Sequence, residues 1–114
     1  MQTPTATDEA TQALIANAIR TETTAAGVSV AQIVLFGSRA RGDADPHSDW
    51  DILIILDHPI CPQERMERFS RLNCALASRL IPCDWIIRSK QEVLHERQRI
   101  GSVVRTALTE GKAL

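Results

Sequence analysis

Gly37, Ser38, Asp49, Asp51 and Asp84 are residues whose types and spacing could do chemistry. The run Gly37-Ser38-Arg39-Ala40-Arg41-Gly42 is followed by a polar loop and then by Ser48-Asp49-Trp50-Asp51. Asp49 and Asp51 open a β-branched apolar run. On a strand both carboxylates face one way and Trp50 faces the other. Two adjacent carboxylates repel, and burying them unpaired raises a pKa or is strongly unfavourable. A divalent cation removes that conflict, and Mg²⁺ takes a few carboxylates together with phosphate oxygens. Gly37-Ser38 ends another apolar run and opens a helical turn. Free backbone N–H groups and a hydroxyl at such a point form an anion site. Gly37 lets a ligand come close to the backbone, and Arg39 and Arg41 add positive charge one turn in. A phosphate cradle beside a metal-binding acid pair is a nucleoside triphosphate site. Asp84 is the candidate third carboxylate, holding a second metal near the attacking group. It sits early in an apolar strand, on the face shared with Ile86 and Arg88.

The elements that must position these residues follow from periodicity. Ala10, Leu14, Ile15, Ala18 and Ile19 fall on one face of a helix predicted over 9–26. Asp8 and Glu9 lie where the helix dipole favours carboxylates, and Gly27 is its stop. Strands are predicted over 32–36, 49–56 and 83–88. One helical turn spans 38–42, and 43–48 is a loop containing Pro46. Pro62 suits the first position of a long helix reaching about Leu80, with Met66, Phe69, Leu72, Leu76 and Leu80 on one stripe. Ser89 and Glu92 form a capping box that opens the next helix. Gly101-Ser102 breaks it before a last helical piece carrying Val104 and Leu108, and Gly111 ends that piece. The order α-β-α-β-α-β-α predicts an α/β (α+β) fold with helices packed on one sheet.

The chain has 114 residues, which predicts one domain over 1–114. Hydrophobic residues are 44% and charged residues 24%, values of a globular protein, so collagen-like and disordered classes drop out. A net charge of −1 disfavours a general nucleic-acid coat and leaves RNA only as an acceptor. Cys61, Cys74 and Cys83 make an odd count without a CxxC pair. A disulfide framework or zinc knuckle is not expected, and the three are read as buried small apolar residues. The polar start lacks the pattern of a signal peptide, and no apolar run suits a membrane span. A cytoplasmic protein is expected.

Two rival motifs fail. Gly37 and Gly42 have a P-loop's spacing, but Asp43 stands where Lys is required. Asp43 and Asp45 could open a calcium loop, but Ser48 replaces its Gly and Ile54 its Glu. Arg65, Arg68 and Arg71 form a basic stripe, read as a solvated face or else a docking surface. His47 is a loop residue, and His58 and His95 have no assigned role.

Gly37-Ser38, ten intervening residues and Asp49-x-Asp51 resemble the signature of the polymerase-beta-like nucleotidyltransferase superfamily. Ala40, Arg41, Gly42, Ala44, Ser48 and Ile52 extend the match toward its minimal nucleotidyltransferases. The resemblance covers nearly the whole chain and implies that superfamily's fold, with a mixed sheet. It implies that Gly37 and Ser38 bind the triphosphate of ATP, that Asp49 and Asp51 bridge two Mg²⁺ ions, and that Asp84 completes the metal site on the acceptor side. It further implies a helical HEPN-domain partner in a toxin–antitoxin module, adenylylated by the transferase. The chain stops at Leu114, where relatives usually add an aromatic residue, and it lacks the added helical domain of larger relatives. The rival classes are an antitoxin acting by contact alone and a transferase for a small molecule such as an aminoglycoside. Acceptor, base preference and oligomeric state stay open, a homo-oligomer included.

Overall fold

Ile52, Ile54 and Leu56 enter one hydrophobic core, while Leu53 and Ile55 between them enter another. That alternation makes their strand the centre of a sheet covered on both faces. The computed structural model describes residues 6–114, and segment 1–5 of the polar start lies outside the described residues. The chain forms α1 (Ala6–Ala25), β1 (Val30–Phe36), α2 (Ser38–Arg41), β2 (Trp50–Leu56), α3 (Pro62–Ala77), β3 (Cys83–Ser89), α4 (Lys90–Glu96), α5 (Val103–Glu110) and β4 (Lys112–Ala113). The sheet order is β3-β2-β1-β4. β2 and β3 run parallel, joined through α3, and the other neighbours are antiparallel. This is the mixed sheet that was expected, with one strand more.

On one face, Ile15 and Ile19 of α1 and Leu72 and Leu76 of α3 pack on Ile33, Leu35, Trp50, Ile52, Trp85 and Ile87. On the other, Val93 of α4 with Val104 and Ala107 of α5 covers Val34, Phe36, Leu53 and Ile55. Trp85 Nε1 donates to Asn73 Oδ1 at 2.9 Å, so the ring is buried without stranding its polar atom. The predicted capping box is complete: Glu92 N–H donates to Ser89 Oγ at 3.2 Å and Ser89 N–H to Glu92 Oε1 at 2.9 Å. No helix among the described residues is long and apolar enough to cross a membrane.

Several expectations are corrected. β1 starts at Val30, before the apolar run, because an irregularity at exposed Ala31 lets Val30 pair with Leu56 while Gln32 pairs with Ile55. β2 starts at Trp50, so Asp49 stands just outside it. β4 had no periodic signal, being two residues long. Arg68 is no solvated residue. Its side chain is 7% exposed and pairs with Glu22 of α1 and with Glu64 and Glu67 of its own helix. Arg65 pairs with Glu92 at 3.0 Å, and only Arg71 stays well exposed. Of the predicted apolar stripe on α3, Leu72 and Leu76 are buried while Met66, Phe69 and Leu80 are exposed. Of the three cysteines expected to be buried, only Cys83 is partly so. Cys61 and Cys74 are exposed, and Cys61 Sγ caps α3 by accepting from Glu64 N–H.

Leu80 has a definite reason to leave the core. α3 ends at Ala77, and Leu80 takes the left-handed conformation with φ 57°. Leu80 N–H donates to the Ala77 carbonyl and Ile81 N–H to the Leu76 carbonyl, the pattern in which Gly usually sits. Its side chain is 89% exposed and supplies no packing in return. Leu80→Gly should therefore stabilise the protein by about 0.5–1 kcal/mol, the relieved left-handed strain less the added chain entropy of Gly. Thermal denaturation reads this directly; an unchanged or lower Tm would show that the strain is absent.

Candidate active site

The end of β1, the start of β2 and the start of β3 lie side by side, because β1 runs against β2 and β2 runs with β3. Phe36 is opposite Asp51, and Asp51 is beside Asp84 in the parallel register. Three separated stretches of sequence thus deliver the Gly37-Ser38 turn, Asp51 and Asp84 to one sheet end. Asp49 stands one residue before the strand and is exposed, as is Asp84.

Gly37 leaves β1 with φ 74° and ψ −159°. A Cβ added there would stand 2.1 Å from Asp51 Oδ2. The turn can lie against the carboxylate only because it has no side chain. α2 follows immediately, and Ala40 and Arg41 N–H both donate to the Gly37 carbonyl at 3.0 Å. The amides of Ser38 and Arg39 open this helical turn, where N–H groups have no partner within their own helix.

Asp51 is half-buried, and its pKa is raised. Burial is the main cause; the charges of Asp84 and Asp49 come next, Arg41 opposes them, and Glu110 adds to them. The acids therefore interact, as their spacing predicted. Cys83, paired in register with Trp50, has its thiol pushed up to about 12 by burial and then by Asp49 and Asp51. A thiolate nucleophile there is excluded at neutral pH. Asp57, the other acid near β2, belongs to the opposite end of the strand. It pairs with Lys90 Nζ at 2.9 Å and accepts from Ser29 Oγ.

The two arginines differ. Arg39 stacks over Trp50, 4.5 Å from the ring centroid. Its Nη2 donates to the Ser48 carbonyl at 3.0 Å and its Nε to the same oxygen at 3.2 Å. It braces loop 43–48 where that loop delivers Asp49. Arg41 is half-exposed and lies between Asp43 and Glu110, with its pKa raised by hydrogen bonds to both. Glu110 also accepts the Gly37 N–H at 2.9 Å. Sequence reasoning missed Glu110, which is 73 residues from Gly37 and carries no motif of its own. The only signal was a carboxylate placed just before the glycine that ends the last helix.

The donor set of Asp49, Asp51 and Asp84 is all oxygen and mutually repulsive, which suits a hard divalent cation. Among the described residues, no three acid, histidine or cysteine side chains already converge on one point. Asp49 and Asp84 are exposed, so their rotamers have room to turn toward an ion beside Asp51.

Comparison with known proteins agrees with this geometry. No protein of curated function matches the chain in sequence. A toxin–antitoxin crystal structure with AMP-PNP superimposes with a TM-score of 0.55 at 22% identity, over 85% of this chain and 69% of that one. A candidate nucleotidyltransferase from Sulfolobus solfataricus does so with a TM-score of 0.56 at 22% identity, over 88% of this chain and 75% of that one. At such identity the likeness is one of fold. The sequence match is more specific. Residues 16–111 match the nucleotidyltransferase domain family, a span that holds the glycine turn and all three acids. With that match over most of its length, the chain belongs to the nucleotidyltransferase domain family.

Proposed function

We propose that the protein transfers AMP from ATP to a hydroxyl group of a partner protein, a helical HEPN-type toxin, and does so with Mg²⁺. The observation that carries this reading is the contact between the Gly37 turn and Asp51, with Asp84 beside it in register. A phosphate-receiving turn and a repelling acid pair in contact suit a triphosphate with its counter-ions. The toxin–antitoxin complex that shares this fold supports a protein partner, and its AMP-PNP supports an adenine nucleotide.

Asp49 and Asp51 would hold the ions that carry the triphosphate, and Asp84 would complete the set on the acceptor side. Bound Mg²⁺ would supply charge neutralisation for the pyrophosphate and polarisation of the attacking oxygen. The chain itself orients the reactants. The Gly37-Ser38 turn receives the phosphates through backbone N–H groups and the Ser38 hydroxyl. Asp51, fixed between Phe36 and Asp84 in the sheet, sets where the α-phosphate lies. Asp84, exposed at the rim, faces the incoming hydroxyl. One P–O bond forms from that hydroxyl as the bond between α-phosphorus and the pyrophosphate oxygen breaks. Pyrophosphate leaves, and the hydroxyl proton passes to solvent. No covalent enzyme intermediate is needed.

The direct test is titration calorimetry with ATP. Binding should be at least about tenfold tighter with Mg²⁺ than with EDTA, and equal affinities would remove the metal from the reading. Labelled ATP, Mg²⁺ and the product of a neighbouring gene then test transfer; a partner bound tightly but never labelled would make the protein a contact antitoxin.

Asp51→Asn should lower transfer by several orders of magnitude while stabilising the protein. Asp51 has a raised pKa, so its ionised form is disfavoured by folding. At pH 7 the neutral amide should therefore raise Tm. That gain should vanish as pH falls through the raised pKa, where Asp51 is itself neutral. A gain independent of pH would assign it to packing.

Asp84→Ala separates the roles of the acids. Turnover should fall steeply, but the ATP dissociation constant should change by less than about tenfold, or ~1.4 kcal/mol. Asp51→Ala should lose both. Loss of ATP binding in Asp84→Ala would place Asp84 on the triphosphate side.

A further inference from the structure

Glu110 is a charged side chain of the candidate site that the proposed transfer does not use. Its backbone is firmly fixed. It is the last residue of α5, and Gly111 follows in a space where a Cβ would stand 2.3 Å from the Ala107 carbonyl oxygen and 2.4 Å from Val34 Cγ1. β4 then pairs Lys112 with Leu35, and Leu114 N–H donates to the Ile33 carbonyl at 2.9 Å. The carboxylate is thus carried on backbone fastened to β1, the strand that delivers Gly37.

Its hydrogen bonds go to the turn. Oε1 accepts from Gly37 N–H at 2.9 Å, and both oxygens lie 3.2 Å from Arg41 Nη1. Gly37 is buried, and a buried N–H without an acceptor is strongly unfavourable. β1 ends at Phe36, so the sheet ladder stops one residue short of Gly37. A neutral amide could accept from Gly37 equally well. The carboxylate adds repulsion toward Asp51, which Arg41 offsets, and in exchange it fixes the Arg41 guanidinium.

We infer that Glu110 is a positioning residue for the triphosphate: it holds the Gly37-Ser38 turn in its phosphate-receiving shape and keeps Arg41 along that turn. The inference rests on the proposed nucleotide site, in which Glu110 itself touches no reacting atom. Its two bonds have separable roles. The bond to Gly37 shapes the backbone and needs only an acceptor; the pair with Arg41 needs charge.

Amide exchange measured by NMR on ¹⁵N-labelled protein reads the turn without nucleotide. Gly37 N–H should be protected in the native chain, at least about tenfold less protected in Glu110→Ala, and within about threefold of native in Glu110→Gln. ATP affinity with Mg²⁺, by calorimetry, should fall about tenfold in Glu110→Ala and less than about threefold in Glu110→Gln. Rescue by the amide is what a merely packing role would not produce. Equal Gly37 exchange in the native chain and Glu110→Ala overturns the inference. So does tighter ATP binding in Glu110→Ala, which would mean that the carboxylate competes with phosphate. Should Glu110→Ala not fold, Glu110→Leu removes the acceptor while keeping apolar bulk, and native Gly37 exchange in that variant overturns the inference alone. Failure of the native chain to bind ATP counts against the transferase reading instead, and the exchange rates still decide whether Glu110 shapes the turn.

Discussion

The backbone at Gly37 and the carboxylate of Asp51 share a space that one methyl group would fill. The glycine turn and the acid pair are therefore one object, although ten residues lie between Ser38 and Asp49. Moving the turn away from the acid would also pull apart the antiparallel pairing of Phe36 with Asp51. The rest of the fold serves that contact. β1 and β2 must stay in register to preserve it, and each is clamped by aliphatic side chains on both faces. Arg39 reaches from α2 to grip the Ser48 carbonyl and the Trp50 ring, which fixes the loop entering β2. The aliphatic residues of the two cores hold the backbones of β1 and β2 in the one register that allows this contact.

The same contact is electrostatically unfavourable. Asp51 is half-buried near Asp49, Asp84 and Glu110, with Arg41 as the opposing charge. A site of this kind lowers stability in return for function. Two aliphatic cores, one on each face of the sheet, let a small domain carry it. A second charged cluster lies elsewhere, between α1 and α3. There Arg68 is nearly buried with Glu22, Glu64 and Glu67 around it. Each of its carboxylates is ion-paired to Arg68 or Arg71, whereas among the described residues Asp49, Asp51 and Asp84 have no ion pair. That contrast separates a structural cluster from a candidate site better than a count of charged residues does.

Much of this was legible in the sequence. Short apolar, β-branched runs with abrupt stops at Gly37 and Pro59, and a start after Pro82, located β1, β2 and β3, and period-two alternation gave the faces of the three acids. Strand parity put Asp51 and Asp84 each on a definite face, and the parallel register of β2 and β3 brings them side by side. Ser89 and Glu92 announced their helix through a local bond pattern. What escaped was non-local. β4 exists because β1 offers an open edge, and nothing in Lys112-Ala113 itself says strand. Arg68 looks like any helical arginine until α1 brings Glu22 against it. Leu80 fits an apolar stripe, but the proline two residues on and the turn before it decide otherwise. Glu110 gains meaning only through a partner far away in the chain.

The bond between Gly37 and Glu110 also bears on the order in which the site's parts are made. The ribosome adds residues from the N-terminus at roughly 5–20 per second, and domains fold as their parts emerge. Gly37 therefore precedes its acceptor, 73 residues downstream, by roughly 4–15 s at those rates. During that interval the strands that carry Asp51 and Asp84 can already pair, since both lie upstream of α5. The turn, by contrast, still waits for the carboxylate that closes it. A nascent chain can hold its acids in place before its glycine turn is secured, so Glu110 is the last of these groups to join the site.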